Sequence, residues 1–283
     1  MTVAAIAYRD LNPAERQKAI DLLKNHYNYE KWKAEVPEND KTMDEGIVAF
    51  MGASKWADEI KFGNSTFNHK EWHYVDFPLI APEFPIKPSP SPENDIIYAI
   101  DFCTKNLKDL KKSDKEKAYW LCWLIHIVGD ITQPLHCCCL VNDDFAAPIG
   151  DRGGNSIYVR TGTGKGVPLH KMWDDAMGTS KGFHTKQLRG YLNQAIALGS
   201  EFNRDALGEL KKNTTAESWA LESRQIAVDQ VYLHGQLKYG KTAETAMELP
   251  EGYTKKLKAI SERQVALAGY RLADLIREVL KKP

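Results

Sequence analysis

Residues 117–136 read KAYWLCWLIHIVGDITQPLH, and this stretch decides most of what can be expected of the fold. Its first part, Ala118 to Ile125, is apolar on every side, which is typical of a helix buried on all faces. The run Ser113 to Glu116 supplies a helix cap just upstream. The sequence therefore predicts a central helix from Lys117 to about Gly129.

Apolar residues at helical spacing predict further helices on both sides of this one. These helices cover Ala14 to Leu23 after an Asn12-Pro13 start, Asp95 to Leu110, Glu217 to Gln236 and Lys255 to Leu280. Two segments are predicted to be long loops: the proline-rich 77–92, and 141–166, which contains one β-like run at 157–159. The predicted fold class is mainly α: a single multi-helix domain over 1–283, with a buried metal cluster, long loops and at most a short β-hairpin.

Composition excludes one way of binding nucleic acid. Lys+Arg and Asp+Glu both count 38, so the chain lacks the basic excess of proteins that hold a phosphate backbone mainly by counterion release. If the substrate is a phosphodiester, the positive charge must come from another source, and bound metal is the obvious candidate. No apolar run is long enough for a transmembrane helix. Five cysteines, three of them at 137–139, make no disulfide framework, and small buried side chains are the preferred interpretation.

The pattern His-x-x-x-Asp occurs twice, at His126/Asp130 and at His170/Asp174. Residues four apart lie on one face of a helix, so each pair points an imidazole and a carboxylate in the same direction. Such pairs often form only a hydrogen bond. The first pair, however, lies at the end of a helix too apolar to be exposed, where a buried charge needs a partner. His136 follows beyond Pro134, which must turn the chain.

Two upstream motifs add ligands of the same kind, Asp58 in Trp56-Ala-Asp58 and His73 in Trp72-His-Tyr-Val-Asp76. Imidazole and carboxylate together are a good ligand set for zinc. Spacing alone leaves open whether these groups form two metal sites or ordinary hydrogen bonds.

In their order along the chain, these motifs resemble the signature of the S1/P1 nuclease family. The resembling segments are Trp56-Ala-Asp58, Trp72-His-Tyr-Val-Asp76, His126-x-x-Gly-Asp130-Ile-x-Gln-Pro-Leu-His136, Gly153-Gly-Asn155, Leu169-His-x-x-Trp-Asp174 and Trp219-Ala-x-Glu-Ser223. The closing run 264–273 resembles the last helix of that family, so the likeness covers almost the whole chain.

The resemblance implies zinc as the cofactor and assigns its ligands. One zinc would be held by Asp58, His73, His126 and Asp130, and a second by His136, His170 and Asp174. The family has a third zinc, held by the amine and carbonyl of an N-terminal Trp and by a nearby His, with the carboxylate at Asp130 bridging to it. This chain supplies only the first two sites in full.

The chain departs from the family pattern at its start and at Lys61. The Trp and His of the third site would fall before Met1, so we expect Met1 to be an internal methionine, with a ligand segment and a secretion signal upstream. The chain as given has no signal peptide, and secretion or a periplasmic location is expected from the family alone. Lys61 stands where many members have Arg, and can face a phosphate as a point charge.

The implied function is a zinc-dependent phosphodiesterase that hydrolyses single-stranded DNA or RNA to 5′-nucleotides through a metal-activated hydroxide. Asp130 and Lys61 are the expected catalytic residues, and Tyr74 and Asn155 the expected substrate-binding residues. Alternatives are a phospholipase C-like lipid phosphodiesterase and an inactive metal-binding homologue truncated at the N-terminus. The expected partner is single-stranded nucleic acid or a nucleotide, and the expected state is a monomer with no stable protein partner and no transmembrane segment.

Overall fold

A computed structural model describes residues 1–36, 40, 42–63, 65–80, 94–178 and 188–281. Most of the described chain is helical. The helices are α1 (Thr2–Asp10), α2 (Pro13–Leu23), α3 (Tyr29–Lys33), α4 (Glu45–Ala53), α5 (Trp56–Glu59), α6 (Ile96–Lys108), α7 (Asp114–Asp130), α8 (Leu169–Asp174), α9 (Leu188–Glu201), α10 (Glu209–Lys212), α11 (Ala216–Ile226) and α12 (Tyr253–Val279). The predicted mainly-α class is confirmed.

The predicted central helix is α7. Ser113 caps it through a reciprocal pair of bonds with Glu116, in which each side chain accepts from the other residue's backbone N–H. The helix packs against α2, α4, α5, α6 and α12. Its large side chains, such as Trp123 and Leu124, are fully buried, and each contributes about 1.5–3 kcal/mol by leaving water. The last turn of α7 is therefore fixed deep in the molecule.

The described part of the chain forms five short strands: β1 (Pro78–Ile80), β2 (Cys139–Val141), β3 (Tyr158–Arg160), β4 (Val167–Pro168) and β5 (Met247–Glu248). They form two small sheets among the described residues, which is more than the single hairpin expected. β1 pairs with β2 in parallel, whereas β3 lies between an antiparallel β4 and a parallel β5. Parallel pairs join segments distant along the chain, so no local turn signal announces them.

The two ends of the described chain pack together. α1 lies along α12 and α9, and a Cβ added to Gly269 of α12 would come within 2.4 Å of the Ile6 side chain. Ser223 of α11 donates a hydrogen bond of 2.6 Å to the carbonyl of Ile131, which fixes the chain just after α7.

The cysteines are all free and buried, as expected for small hydrophobic side chains. Burial raises the pKa of the Cys139 thiol to about 12, so it is protonated and unreactive near neutral pH. Of the proline-rich segment 77–92, only 77–80 belong to the described residues, and they form β1 and its approach. Among the described helices, none has the length and apolar composition needed to cross a membrane.

Candidate metal centre

The first cluster brings Asp58, His73 and His126 together, with Asp130 beside them. The His73 Nδ1 and His126 Nε2 atoms are 3.0 Å apart. Asp130 Oδ2 lies 2.9 Å from the first nitrogen and 3.0 Å from the second. Asp58 Oδ1 lies 3.9 Å and 3.6 Å from the same two atoms. Two imidazole nitrogens and two carboxylate oxygens thus converge on one point, as zinc requires.

The second cluster contains His136, His170 and Asp174. The Nε2 atoms of His136 and His170 lie 3.7 Å and 3.4 Å from the two carboxylate oxygens of Asp174, and the imidazole rings stack with centroids 4.9 Å apart. Asp130 Oδ2 is 3.9 Å from His136 Nδ1. Asp130 therefore lies between the two clusters, whereas the resemblance expects its carboxylate to bridge from the first zinc to the third.

Helices and short 3₁₀ turns from distant parts of the sequence bring these side chains together. His126 and Asp130 lie one turn apart on α7, and His170 and Asp174 one turn apart on α8. His73 and His136 each end a short 3₁₀ turn, and the strands β1 and β2 that follow them are paired. The Val75 N–H donates to the carbonyl of His136 at 2.8 Å, which ties the two turns directly.

Backbone carbonyls orient three of the four imidazoles. In each case the Nδ1–H donates to a carbonyl oxygen at 2.7 Å: His126 to Ser54, His136 to His73, and His170 to Gly153. With a proton fixed on Nδ1, Nε2 is the atom left to bind a metal, and each of these rings turns that atom toward its cluster. A second partner of this kind is what metal-ligating histidines require. His73 is reversed: its Nδ1 faces the cluster, and its Nε2 is buried without a hydrogen-bond partner.

Burial and neighbouring charges shift the pKa values of Asp130 and His136 in opposite directions. Burial would raise the pKa of Asp130, but His126 and His136 hold it well below its ordinary value. Burial would lower the pKa of His136, but Asp130 and Asp174 raise it to about 9. Burial lowers the pKa of His73 and of His170. A divalent cation satisfies such a dense set of carboxylates and imidazoles, so the residues present fit bound zinc.

A cavity of about 450 Å³ opens beside both clusters, and His73, His136 and His170 form part of its wall. Lys61 also lines it and pairs with Asp58, its Nζ 2.6 Å from the carboxylate Oδ1. The charge of Lys61 is thus held next to a predicted metal ligand.

Both residues predicted to bind substrate line this cavity. Tyr74 is 41% exposed, which leaves part of its ring open to a ligand. Asn155 donates from Nδ2 to the Arg152 carbonyl at 2.9 Å, so it also serves the turn that carries it.

Sequence reasoning missed several residues around the site. Gln133 donates a hydrogen bond to Asp174 Oδ1 at 2.8 Å and so orients a predicted ligand. It lies within the recognised His126–His136 motif, so this role could have been predicted from the sequence. Lys70, Asp76 and Arg152 line the cavity. Asp76 lies in a quoted motif, whereas no local pattern marks the other two.

The remaining histidines lie outside both clusters, as predicted for those within the described residues. His26 is buried among aromatic rings, His69 stacks on Trp72 with centroids 3.9 Å apart, and His234 is largely exposed. His184 lies outside the described residues.

Comparison with known proteins identifies the family of this chain. The model of the S1/P1 Nuclease family matches residues 1–281. Nuclease P1 of Penicillium citrinum is 29% identical over 243 residues, which cover 80% of this chain and 83% of that protein. Nuclease S1 of Aspergillus oryzae is 25% identical over 258 residues, 85% of this chain and 82% of its own. Endonuclease 4 of Arabidopsis thaliana is 26% identical over 247 residues, which cover 79% of this chain and 75% of that protein. The expected class of enzyme, a hydrolase of phosphodiester bonds, is thereby confirmed, and the chain belongs to the S1/P1 nuclease family.

Proposed function

We propose that this nuclease is zinc-dependent and hydrolyses single-stranded DNA or RNA to 5′-nucleotides. The observation that carries the proposal is the pair of ligand clusters beside one cavity, with Asp130 between them. Asp58, His73, His126 and Asp130 would hold one zinc ion, and His136, His170 and Asp174 another. Zinc bound there would supply Lewis acidity and a water molecule of lowered pKa.

The chain's own side chains orient the reactants. Asp130 lies between the clusters and stays ionised, so it can accept a hydrogen bond from an attacking water and align it with the phosphorus. Lys61 places a positive charge at the same wall, and its bond to Asp58 keeps the ammonium group from swinging into solvent. The phosphate group would therefore meet concentrated positive charge although the whole chain has a net charge of zero.

Single strands fit the cavity better than duplexes. The exposed part of the Tyr74 ring can stack on a base only when that base is unpaired. Asn155, at the same cavity, offers an amide for polar contacts to substrate.

The test removes one proposed ligand at a time. His126→Ala and Asp130→Asn should each lower bound zinc, measured by atomic absorption, and reduce hydrolysis of single-stranded DNA by well over 100-fold, since even indirect partners of a metal ligand cost about 10–100-fold. His234→Ala is the matched control, because this histidine is exposed and lies outside both clusters.

Full activity in either ligand variant would refute the assignment. Zinc binding without hydrolysis of any substrate would indicate an inactive homologue. Faster hydrolysis of phosphatidylcholine than of single-stranded DNA would favour the lipid phosphodiesterase.

The proposal extends to a monomer of one domain in a secreted or periplasmic location. The packing of α1 on α12 supports one domain over 1–283, and family membership supports the location. Light scattering of the purified protein tests the monomer, and a dimer would contradict it. Cell fractionation tests the location, and a cytoplasmic pool would contradict it.

A further inference from the structure

The turn from Gly150 to Asn155 has an unusual backbone. Arg152, Gly153 and Gly154 follow one another in the left-handed region, with φ of 59°, 59° and 80°. Glycine suits this conformation, and a Cβ on Gly153 would lie 2.4 Å from the carbonyl oxygen of Leu135. Arg152 carries a side chain there at a conformational cost, which points to a role for that side chain.

A buried carboxylate fixes this turn. Asp151 is fully buried and accepts hydrogen bonds from Leu140 N–H at 2.8 Å, Gly154 N–H at 3.0 Å and the Tyr232 hydroxyl at 2.8 Å. The same turn offers the Gly153 carbonyl to His170. The position of the Arg152 backbone is therefore set by the same contacts that orient a predicted metal ligand.

Arg152 lines the same cavity as His73, His136 and His170, together with Lys70. Its charge acts on the Tyr74 hydroxyl, whose pKa is raised by burial and lowered in part by Arg152. Within the described ranges, no carboxylate pairs with Lys70 or Arg152, whereas the third cation of the cavity, Lys61, is engaged by Asp58.

Among the described residues, the cavity thus holds two cations, Lys70 and Arg152, with which no carboxylate forms an ion pair. Asp76 also lines the cavity; burial raises the pKa of its carboxyl, and the charge of His136 opposes that rise. The scissile phosphate of a substrate belongs at the ligand clusters, and a cavity of about 450 Å³ has room for a ligand of nucleoside size beyond it.

We propose that Lys70 and Arg152 bind the phosphate adjacent to the scissile one. The inference rests on the proposed nuclease function and adds to it a subsite for a second phosphate. It follows that the cavity favours a strand with consecutive phosphates over a substrate with a single one, because a single phosphate at the clusters leaves both cations unpaired.

The experiment compares three substrates: thymidylyl-thymidine without a terminal phosphate, with a 5′-phosphate and with a 3′-phosphate. Cleavage of the internal diester is followed by chromatography, and kcat/KM is measured for each. In the wild type, one terminal phosphate should raise kcat/KM. Arg152→Asn keeps a residue that tolerates the left-handed region, and Lys70→Gln keeps the length of the side chain. Each should reduce that gain about two- to fivefold, the usual effect of one exposed ion pair.

Two controls separate charge from structure. Arg152→Lys restores a cation and should recover part of the gain. Lys111→Gln removes an exposed lysine that is not among the residues lining the cavity, and it should leave the gain as in the wild type. The gain is a ratio between substrates for one preparation, so partial misfolding of a variant cancels.

The outcomes distinguish the inference from the function on which it rests. Equal losses on all three substrates, or a wild type that gains nothing from either terminal phosphate, would overturn the subsite alone. A wild type with bound zinc that cleaves none of the three would overturn the proposed function, and the subsite with it.

Discussion

At the scale of single residues, Asp151 shows how burial and hydrogen bonding compete. Burial raises the pKa of its carboxyl to about 6, although three donated hydrogen bonds favour the ionised form. The folded protein thus holds this proton to higher pH than the unfolded chain. Between about pH 4 and pH 6 the unfolded state binds fewer protons, so stability falls as the pH rises.

We therefore expect the free energy of unfolding of the wild type to fall relative to Asp151→Asn across this range, by up to about 3 kcal/mol. Urea unfolding of both proteins at several pH values measures the difference. Tyr232→Phe removes one of the bonds that lower the pKa of Asp151, so the fall should extend to higher pH in that variant. A difference that does not change with pH would contradict the raised pKa.

The predicted ligands could be identified from the sequence, whereas their backbone hydrogen-bond partners could not. His126 and Asp130 could be placed together because a helix fixes their spacing, and the structure brings all seven predicted ligands into two clusters. Their assignment to zinc stays a prediction. The carbonyls of Ser54 and Gly153 could not be foreseen, since every residue has a carbonyl and only the tertiary fold decides which one meets an imidazole.

At the scale of elements, the contact between α1 and α12 depends on a missing side chain. A Cβ on Gly269 would lie 2.4 Å from the Cγ2 atom of Ile6, so the two helices approach as closely as glycine allows. Gly269→Ala should force them apart and lower the free energy of unfolding by about 1–3 kcal/mol, the usual cost of overpacking. Urea or thermal unfolding measures the loss.

Gly190 provides the matched control, because it lies in α9 and a Cβ there would meet nothing within 4 Å. Gly190→Ala should stabilise the protein by about 0.5–1 kcal/mol, as alanine does in a helix without a clash. If both variants gained stability alike, the close approach of α1 to α12 would be wrong.

The helices were predictable where caps and spacing agreed. Asn12 and Ser113 both form reciprocal caps, and α2 and α7 begin directly after them. The helix predicted over Glu217 to Gln236 was too long: α11 ends at Ile226 and continues only as one π-helical turn. Helix α9 was missed, and so was the β1–β2 pair, whose partners are some sixty residues apart and meet only through tertiary contacts.

At the scale of the whole molecule, the predicted zinc sites link distant parts of the chain. Their ligands come from α5, α7, α8 and two 3₁₀ turns, an arrangement that exists only in the folded protein. Zinc would bind the folded state in preference to the unfolded one. The free energy of unfolding should then rise by about 1.4 kcal/mol per site, or about 2.8 kcal/mol for the two proposed ions, for each tenfold increase of free zinc above their dissociation constants. Urea unfolding in zinc buffers measures the slope, and a smaller slope is expected for His126→Ala.

Zinc binding should also release protons, because the metal takes the place that a proton occupies in the metal-free chain. The carboxylates of Asp130 and Asp174 raise the pKa of His136 to about 9, so its imidazole is protonated at pH 7.5 without metal. A ligating imidazole must be neutral, and zinc has to displace that proton. Titration calorimetry at pH 7.5, in buffers of different ionisation enthalpy, should show about one proton released from this residue for each protein molecule. The release should shrink as the pH approaches 9, where the imidazole is already losing its proton. A binding enthalpy that is the same in every buffer would mean that His136 is neutral before zinc arrives, or that it does not ligate the metal.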